Sequence, residues 1–96
     1  MNVYYKSGQL DKGGEGSWSG TLLSYTLPAD GTLYTYGSVY RVGATLSISV
    51  TLDGASIGSV NGRKCSKGQV LNISGSYNSG SWEYEGDFIW NATYIY

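Results

Sequence analysis

Three carboxylates lie within five residues, Glu83, Glu85 and Asp87, and no other group in this chain is so well spaced for acid–base chemistry. Paired acids can cleave glycosidic bonds, one protonating the leaving oxygen while the other attacks or activates water. On an extended strand Glu83 and Glu85 share a face about 7 Å apart at ~3.4 Å per residue. That separation suits a catalytic pair and equally an ordinary solvated strand. Asp87 with backbone carbonyls would make at most a weak calcium site. The chain has no histidine, so Ser-His and Cys-His nucleophile pairs and imidazole metal sites cannot be built. Cys65 is the only cysteine, which rules out an internal disulfide and a multi-thiolate zinc site and predicts a small, partly buried hydrophobe. Lys12-Gly13-Gly14-Glu15-Gly16 is glycine-rich but has neither the spacing nor the following helix of a phosphate cradle. The acids read best as a solvated strand face. The expectation is a non-enzymatic protein with no cofactor and no metal.

Charge narrows the partners. Six basic against seven acidic residues give a net charge of -1, with no global field to draw in phosphate. Arg63, Lys64 and Lys67 form a basic group beside a turn, too small for a nucleic-acid footprint, so no nucleic acid is expected. The chain opens with polar residues after Met1 and contains neither a basic apolar leader nor a run of ~18 apolar residues. No membrane insertion is expected, and the chain reads as made in the cytoplasm. Asn72-Ile73-Ser74 and Asn91-Ala92-Thr93 match the glycosylation sequon but fall within predicted strands.

Aromatic residues remain as the candidates for binding. Ten Tyr and three Trp are available, and such side chains give large, stiff contact area at small entropic cost. Trp18, Trp82 and Tyr84 lie in or beside glycine-rich stretches and are the candidate ligand platform, for a sugar ring or a protein surface. Trp90, Tyr94 and Tyr96 in the final strand are candidates for a subunit interface.

These residues must be positioned by strands. Ala44 to Leu52 alternates without a break: Ala44, Leu46, Ile48, Val50 and Leu52 face a core, and Thr45, Ser47, Ser49 and Thr51 face outward. Asp53-Gly54 then predicts a type I′ hairpin, and Asn61-Gly62 a second turn of that kind. Residues 3 to 5 suggest a short first strand, and residues 7–20, with five glycines, a loop. Gly20 to Leu27 reads as a strand ending at the Pro28-Ala29-Asp30-Gly31 turn. Thr32 to Tyr40 follows with Tyr34, Tyr36 and Tyr40 in one register and a bulge expected at Gly37. Gln69 to Tyr77, a Trp82 to Glu85 fragment and Phe88 to Tyr96 complete the set. The last carries bulky groups on both faces, which a lone sandwich does not bury. About eight short strands without helical periodicity predict one domain over residues 1–96: all-β, an antiparallel β-sandwich, jelly-roll-like.

Three phrases carry a resemblance: Leu27-Pro28-Ala29-Asp30-Gly31, Val50-Thr51-Leu52-Asp53-Gly54-Ala55-Ser56-Ile57-Gly58, and Ser66-Lys67-Gly68-Gln69-Val70-Leu71-Asn72-Ile73. Their order, followed by aromatic strands, resembles the small β-sandwich modules of bacteriophage virions, found in tail fibres, tail tips and head fibres. The resemblance spans roughly residues 22 to 96. It implies a virion location and a structural, decoration or host-attachment role. It also implies a homo-oligomer, most often a trimer, that contacts a host-surface glycan or protein. No binding residue transfers, because these modules share no active motif, and the long shaft of a fibre protein is missing. The competing expectation is a lectin-like, carbohydrate-binding module that uses Trp18, Trp82 and Tyr84.

Overall fold

The computed structural model describes all 96 residues and contains eight strands and no helix. They are β1 (Val3–Gly13), β2 (Gly16–Thr26), β3 (Gly31–Val42), β4 (Thr45–Leu52), β5 (Ala55–Ser56), β6 (Asn61–Cys65), β7 (Val70–Ser79) and β8 (Glu85–Ile95). Two four-stranded antiparallel sheets pack face to face: sheet I in the order β1-β8-β3-β6, and sheet II in the order β2-β7-β4-β5. The pairs β1·β8, β2·β7, β3·β6 and β4·β5 are those of one long hairpin folded at its middle, with each successive rung laid in the opposite sheet. Rolling such a hairpin is the jelly-roll arrangement, so the expected architecture is present. The strands are not uniformly short, however. Five of them run 10 to 12 residues, and the molecule measures 47 × 20 × 16 Å, its long axis fitting strands that rise ~3.4 Å per residue.

From Ala44 through β4 the structure follows the strict alternation of the sequence. Ala44, Leu46, Val50 and Leu52 are buried and Ile48 half-buried, while Thr45, Ser47 and Ser49 are exposed. Asp53 (φ 50°) and Gly54 (φ 81°) both take positive φ, the I′ geometry that sends the chain back into β5. The Asp53 carboxylate accepts the Val70 N–H at 2.8 Å and fastens this hairpin to the start of β7.

Three expectations need correction. Residues 7–20 form no loop: they complete β1, turn at Gly14-Glu15 and begin β2. Two of their glycines are packing residues, since Gly8 is the cross-strand partner of Trp90 and lies beneath its indole, and Gly20 lies beneath Trp18 of its own strand. Asn61-Gly62 is no hairpin. Gly62 (φ 86°) makes a bulge inside β6, where the register slips between Leu33 and Tyr34, and the chain has already reversed at residues 57–60. Gly37 is no bulge either. It sits in an unbroken ladder opposite Trp90, and its bare backbone receives the Ile48 side chain from the other sheet, with space for a Cβ only 3.1 Å from Cδ1.

The core lies in two parts. The larger gathers Leu23, Leu27, Leu33, Val50, Leu52, Cys65, Leu71, Ile73, Ala92 and Tyr94; the smaller gathers Ala44, Leu46, Tyr77 and Phe88. Each fully buried side chain such as Leu33, Leu71 or Ile73 contributes about 1.5–3 kcal/mol relative to its exposed state. Polar groups that enter the core are satisfied. Thr35 donates to the Gly58 carbonyl and accepts from Val60 N, both at 3.1 Å, which ties the 57–60 connection to β3. The Tyr94 hydroxyl donates to the Ala29 carbonyl at 2.7 Å, and no buried side-chain nitrogen or oxygen lacks a partner.

Candidate functional site

Alternation along β1, β8 and β3 gives sheet I an outer face that the core does not use. Their inward side chains include Leu33, Thr35, Phe88, Ala92 and Tyr94, so the residues between them point outward. The registers align these into rows across the three strands: Val3, Ile95 and Thr32; then Tyr5, Thr93 and Tyr34; then Ser7, Asn91 and Tyr36; then Gln9, Ile89 and Ser38; then Asp11, Asp87 and Tyr40. Of the eight large apolar or aromatic residues that stand exposed, six lie on this face: Val3, Tyr5, Tyr36, Tyr40, Val42 and Ile89. Tyr5 and Tyr40 are each 62% exposed, a large aromatic surface to leave in water for a chain of this size.

The acids gather at one end of the same face. Asp11 and Asp87 are cross-strand neighbours, and Gln9 Nε2 donates to Asp11 Oδ1 and Asp87 Oδ2, each at 3.3 Å. Hydrogen bonding to Asp11 raises the Asp87 carboxyl above the usual carboxylate range, with desolvation and the Asp11 and Glu85 charges adding to the rise and Gln9 opposing it. Glu85 points outward from β8 one row further on, whereas Glu83 belongs to the Ser81–Tyr84 turn, where Tyr84 N donates to the Ser81 carbonyl at 3.3 Å. Glu83 and Glu85 therefore do not share a strand face. The turn interrupts the extended fragment that a 7 Å pair would need. Lys64, donating to Thr32 Oγ1 at 3.3 Å, stands at the opposite end of the face from the acids.

The expected ligand platform is not assembled. Trp18 is turned inward from β2, tilted against Phe88 with centroids 5.7 Å apart, and the Lys12 ammonium covers its ring at 4.3 Å. Tyr84 packs into the same small core against Gly43, and its carbonyl accepts the Gly14 N–H at 2.9 Å and lies 3.1 Å from the Tyr77 hydroxyl. Trp82 alone is displayed, 81% exposed on the turn. Of the interface candidates, Tyr94 is wholly buried and offers nothing to a partner. Trp90 and Tyr96 share its inward parity and pack half-buried against the larger core. Tyr96 stacks on Tyr94 at 5.6 Å, and Tyr94 in turn meets Tyr25 edge-on at 6.5 Å. Bulky groups do occupy both faces of β8, as its composition predicts, but the outward ones are Ile89 and Ile95. The signal for the outer face was the Tyr34, Tyr36, Tyr40 register together with the isoleucines of β8.

Sheet II presents a different outer surface, a lattice of small hydroxyl and amide side chains. Its registers set Ser19, Ser76 and Ser47 in one row and Thr21, Ser74 and Ser49 in the next, and Ser47 and Ser76 hydrogen bond to each other at 2.6 Å. The shallow depression of about 370 Å³ among these serines and Gly20 and Gly75 holds no charged or aromatic group to orient a ligand. Cys65 is buried, and burial pushes its thiol upward, away from the reactive thiolate. Comparison of the chain with protein-family models, with curated proteins and with solved structures returns no match.

Proposed function

We propose that this chain is a non-enzymatic structural or host-attachment protein of a phage-like virion, working as a homo-oligomer in which the outer face of sheet I is covered. The observation that carries the reading is that face itself: regular in register, tyrosine-rich and uncharged through its middle rows, with no cleft beside its acids. Exposed Tyr and Ile on a regular sheet supply rigid contact area of the kind that protein interfaces use. The rolled eight-strand topology adds support by analogy, since viral capsid and lectin domains are common users of it. The test is particle association. Virus-like particles purified by density gradient from the source culture should contain the chain in fixed ratio to the major coat protein; its consistent absence from such particles refutes the virion reading.

A carbohydrate-binding role is favoured by one observation, the indole of Trp82 standing free on its turn. A glycan array probed with the protein and with Trp82→Ala tests it. Binding that survives the substitution removes Trp82 from any sugar site.

A further inference from the structure

We propose that the outer face of sheet I mates with the same face of a second copy, the two strand directions reversed by a two-fold axis running across the strands. The inference rests on the reading of this face as covered, and specifies what covers it and in which orientation.

Area comes first. Strands of 11 residues at ~3.4 Å per residue and three to four strands at ~4.8 Å spacing give a footprint of about 37 by 17 Å, roughly 600 Å² in projection. Side-chain relief brings the surface removed from water near the ~800 Å² per partner of a standard stable interface. The face is thus large enough for a dimer. A face that meets its own copy about a two-fold axis is an isologous contact, closed at two subunits.

Charge selects the orientation. Stacking two copies with strands running the same way would set Asp11, Asp87 and Glu85 of one against the same three of the other, where Asp87 already has its ionisation opposed by Asp11. Reversal sends the acids to opposite ends. About the middle of the face, the row of Tyr5, Thr93 and Tyr34 then lies over the row of Asp11, Asp87 and Tyr40. Tyr34 meets Tyr40 of the second copy, Tyr5 meets Asp11 and can donate its hydroxyl proton to that carboxylate, and Val3 meets the bare backbone of Gly13. Lys64 comes within about 10 Å of Glu85, two strand spacings across the sheet and inside the reach of its side chain.

Sedimentation equilibrium of the full chain, from about 1 to about 500 µM, should show a species of twice the 10.3 kDa chain mass. Ile89→Glu, at the centre of the face, should raise the dimer dissociation constant at least about 30-fold, whereas Ser49→Glu on sheet II, adding the same charge, should leave it unchanged. Thermal melting of both variants checks that they fold. For orientation, oxidation of mixed Tyr34→Cys and Tyr40→Cys chains should give the hetero-disulfide in preference to either homo-disulfide. A monomer at every concentration, a trimer, or a dimer indifferent to Ile89→Glu overturns the pairing; a predominant Tyr34→Cys homo-disulfide overturns the reversed orientation. A chain that is found in particles and yet stays monomeric alone would refute the pairing and leave the virion role standing.

Discussion

Gly75→Ala is the sharpest test of how the two sheets are held apart. Gly75 lies on the inner face of β7 between Gly20 and Ile48 of the flanking strands, and the Phe88 ring of sheet I rests on it. A methyl group there would stand 2.8, 2.9 and 3.1 Å from three ring carbons, whereas carbon atoms settle at about 3.5–4.0 Å. Phe88 is wholly buried and leans on Trp18, so it has no open space in which to retreat. Overpacking of this kind costs about 1–3 kcal/mol, against which alanine recovers about 0.5–1 kcal/mol of the entropy that glycine forfeits in a strand. The difference runs from about 0 to 2.5 kcal/mol, and with three ring carbons this close the net cost should be about 1–2 kcal/mol. For a domain of this size each kcal/mol lowers Tm by about 4–8 °C, so the loss is readily seen by circular dichroism during heating. In a Phe88→Leu background the methyl enters space the ring has left, and the same substitution should become neutral or slightly stabilising. Urea titrations of the four proteins should therefore show a coupling equal to the overpacking cost, about 1–3 kcal/mol. Gly80→Ala is the control: its added methyl would meet nothing within 4 Å, and the change should lie within about ±0.5 kcal/mol. Additive effects at Gly75 and Phe88 would refute the close approach of the sheets at this point.

Other predictions concern single side chains. Ile73→Ala, in the larger core, should cost about 2–5 kcal/mol and its outward neighbour Ser74→Ala within about ±0.5 kcal/mol, measured by urea unfolding; equal costs would contradict the β7 register. Asp87 carries a raised carboxyl pKa in the fold, so the native state holds its proton more tightly than the unfolded chain does. Stability from this group is present in acid and is lost as pH rises through the range above an ordinary carboxylate; Asp87→Asn should remove that segment from the plot of Tm against pH. Burial first, and then Tyr96 and Tyr4, push the Tyr25 hydroxyl up to about 12. The unfolded chain loses this proton near 10, so stability should decline between about pH 10 and 12, and less steeply in Tyr25→Phe.

Local grammar was legible where one face of a strand is consistently small and polar. The run from Ala44 to Leu52 could only be extended, and Asp53-Gly54 could only turn it tightly, because both signals are complete within a dozen residues. The stretch from Ser7 to Gly20 misled for a long-range reason. Gly8 makes room for Trp90, which is 82 positions away in sequence and adjacent only after β1 and β8 pair. A glycine whose purpose is to seat a distant indole is indistinguishable, in sequence, from a glycine that loosens a loop. The final strand posed the opposite difficulty. Aromatic residues on one parity and isoleucines on the other both look core-bound, and periodicity does not choose between them. Packing chooses: the inward parity of β8 is set by the volume of Phe88 and Tyr94 between the sheets, which leaves Ile89 and Ile95 facing outward.

A sandwich can meet a copy of itself through edges as well as faces, so the proposed pairing has edge pairing as its competitor. Edge pairing adds strands through free backbone groups, and it is opposed here on both long edges. Along β1 the charged residues Lys6, Asp11 and Lys12 line the free edge, and β2 carries a bulge between Thr21 and Leu23 that breaks the regular ladder an incoming strand needs. The outer face of sheet II offers hydroxyls and amides, already well solvated, and little apolar area to remove from water. Only the outer face of sheet I joins a regular, unbroken ladder across β1, β8 and β3 to exposed tyrosine and isoleucine. The proposed pairing would therefore use that face and not the edges, and burial of its apolar surface would favour closed pairs over the open-ended strand addition that leads to fibres.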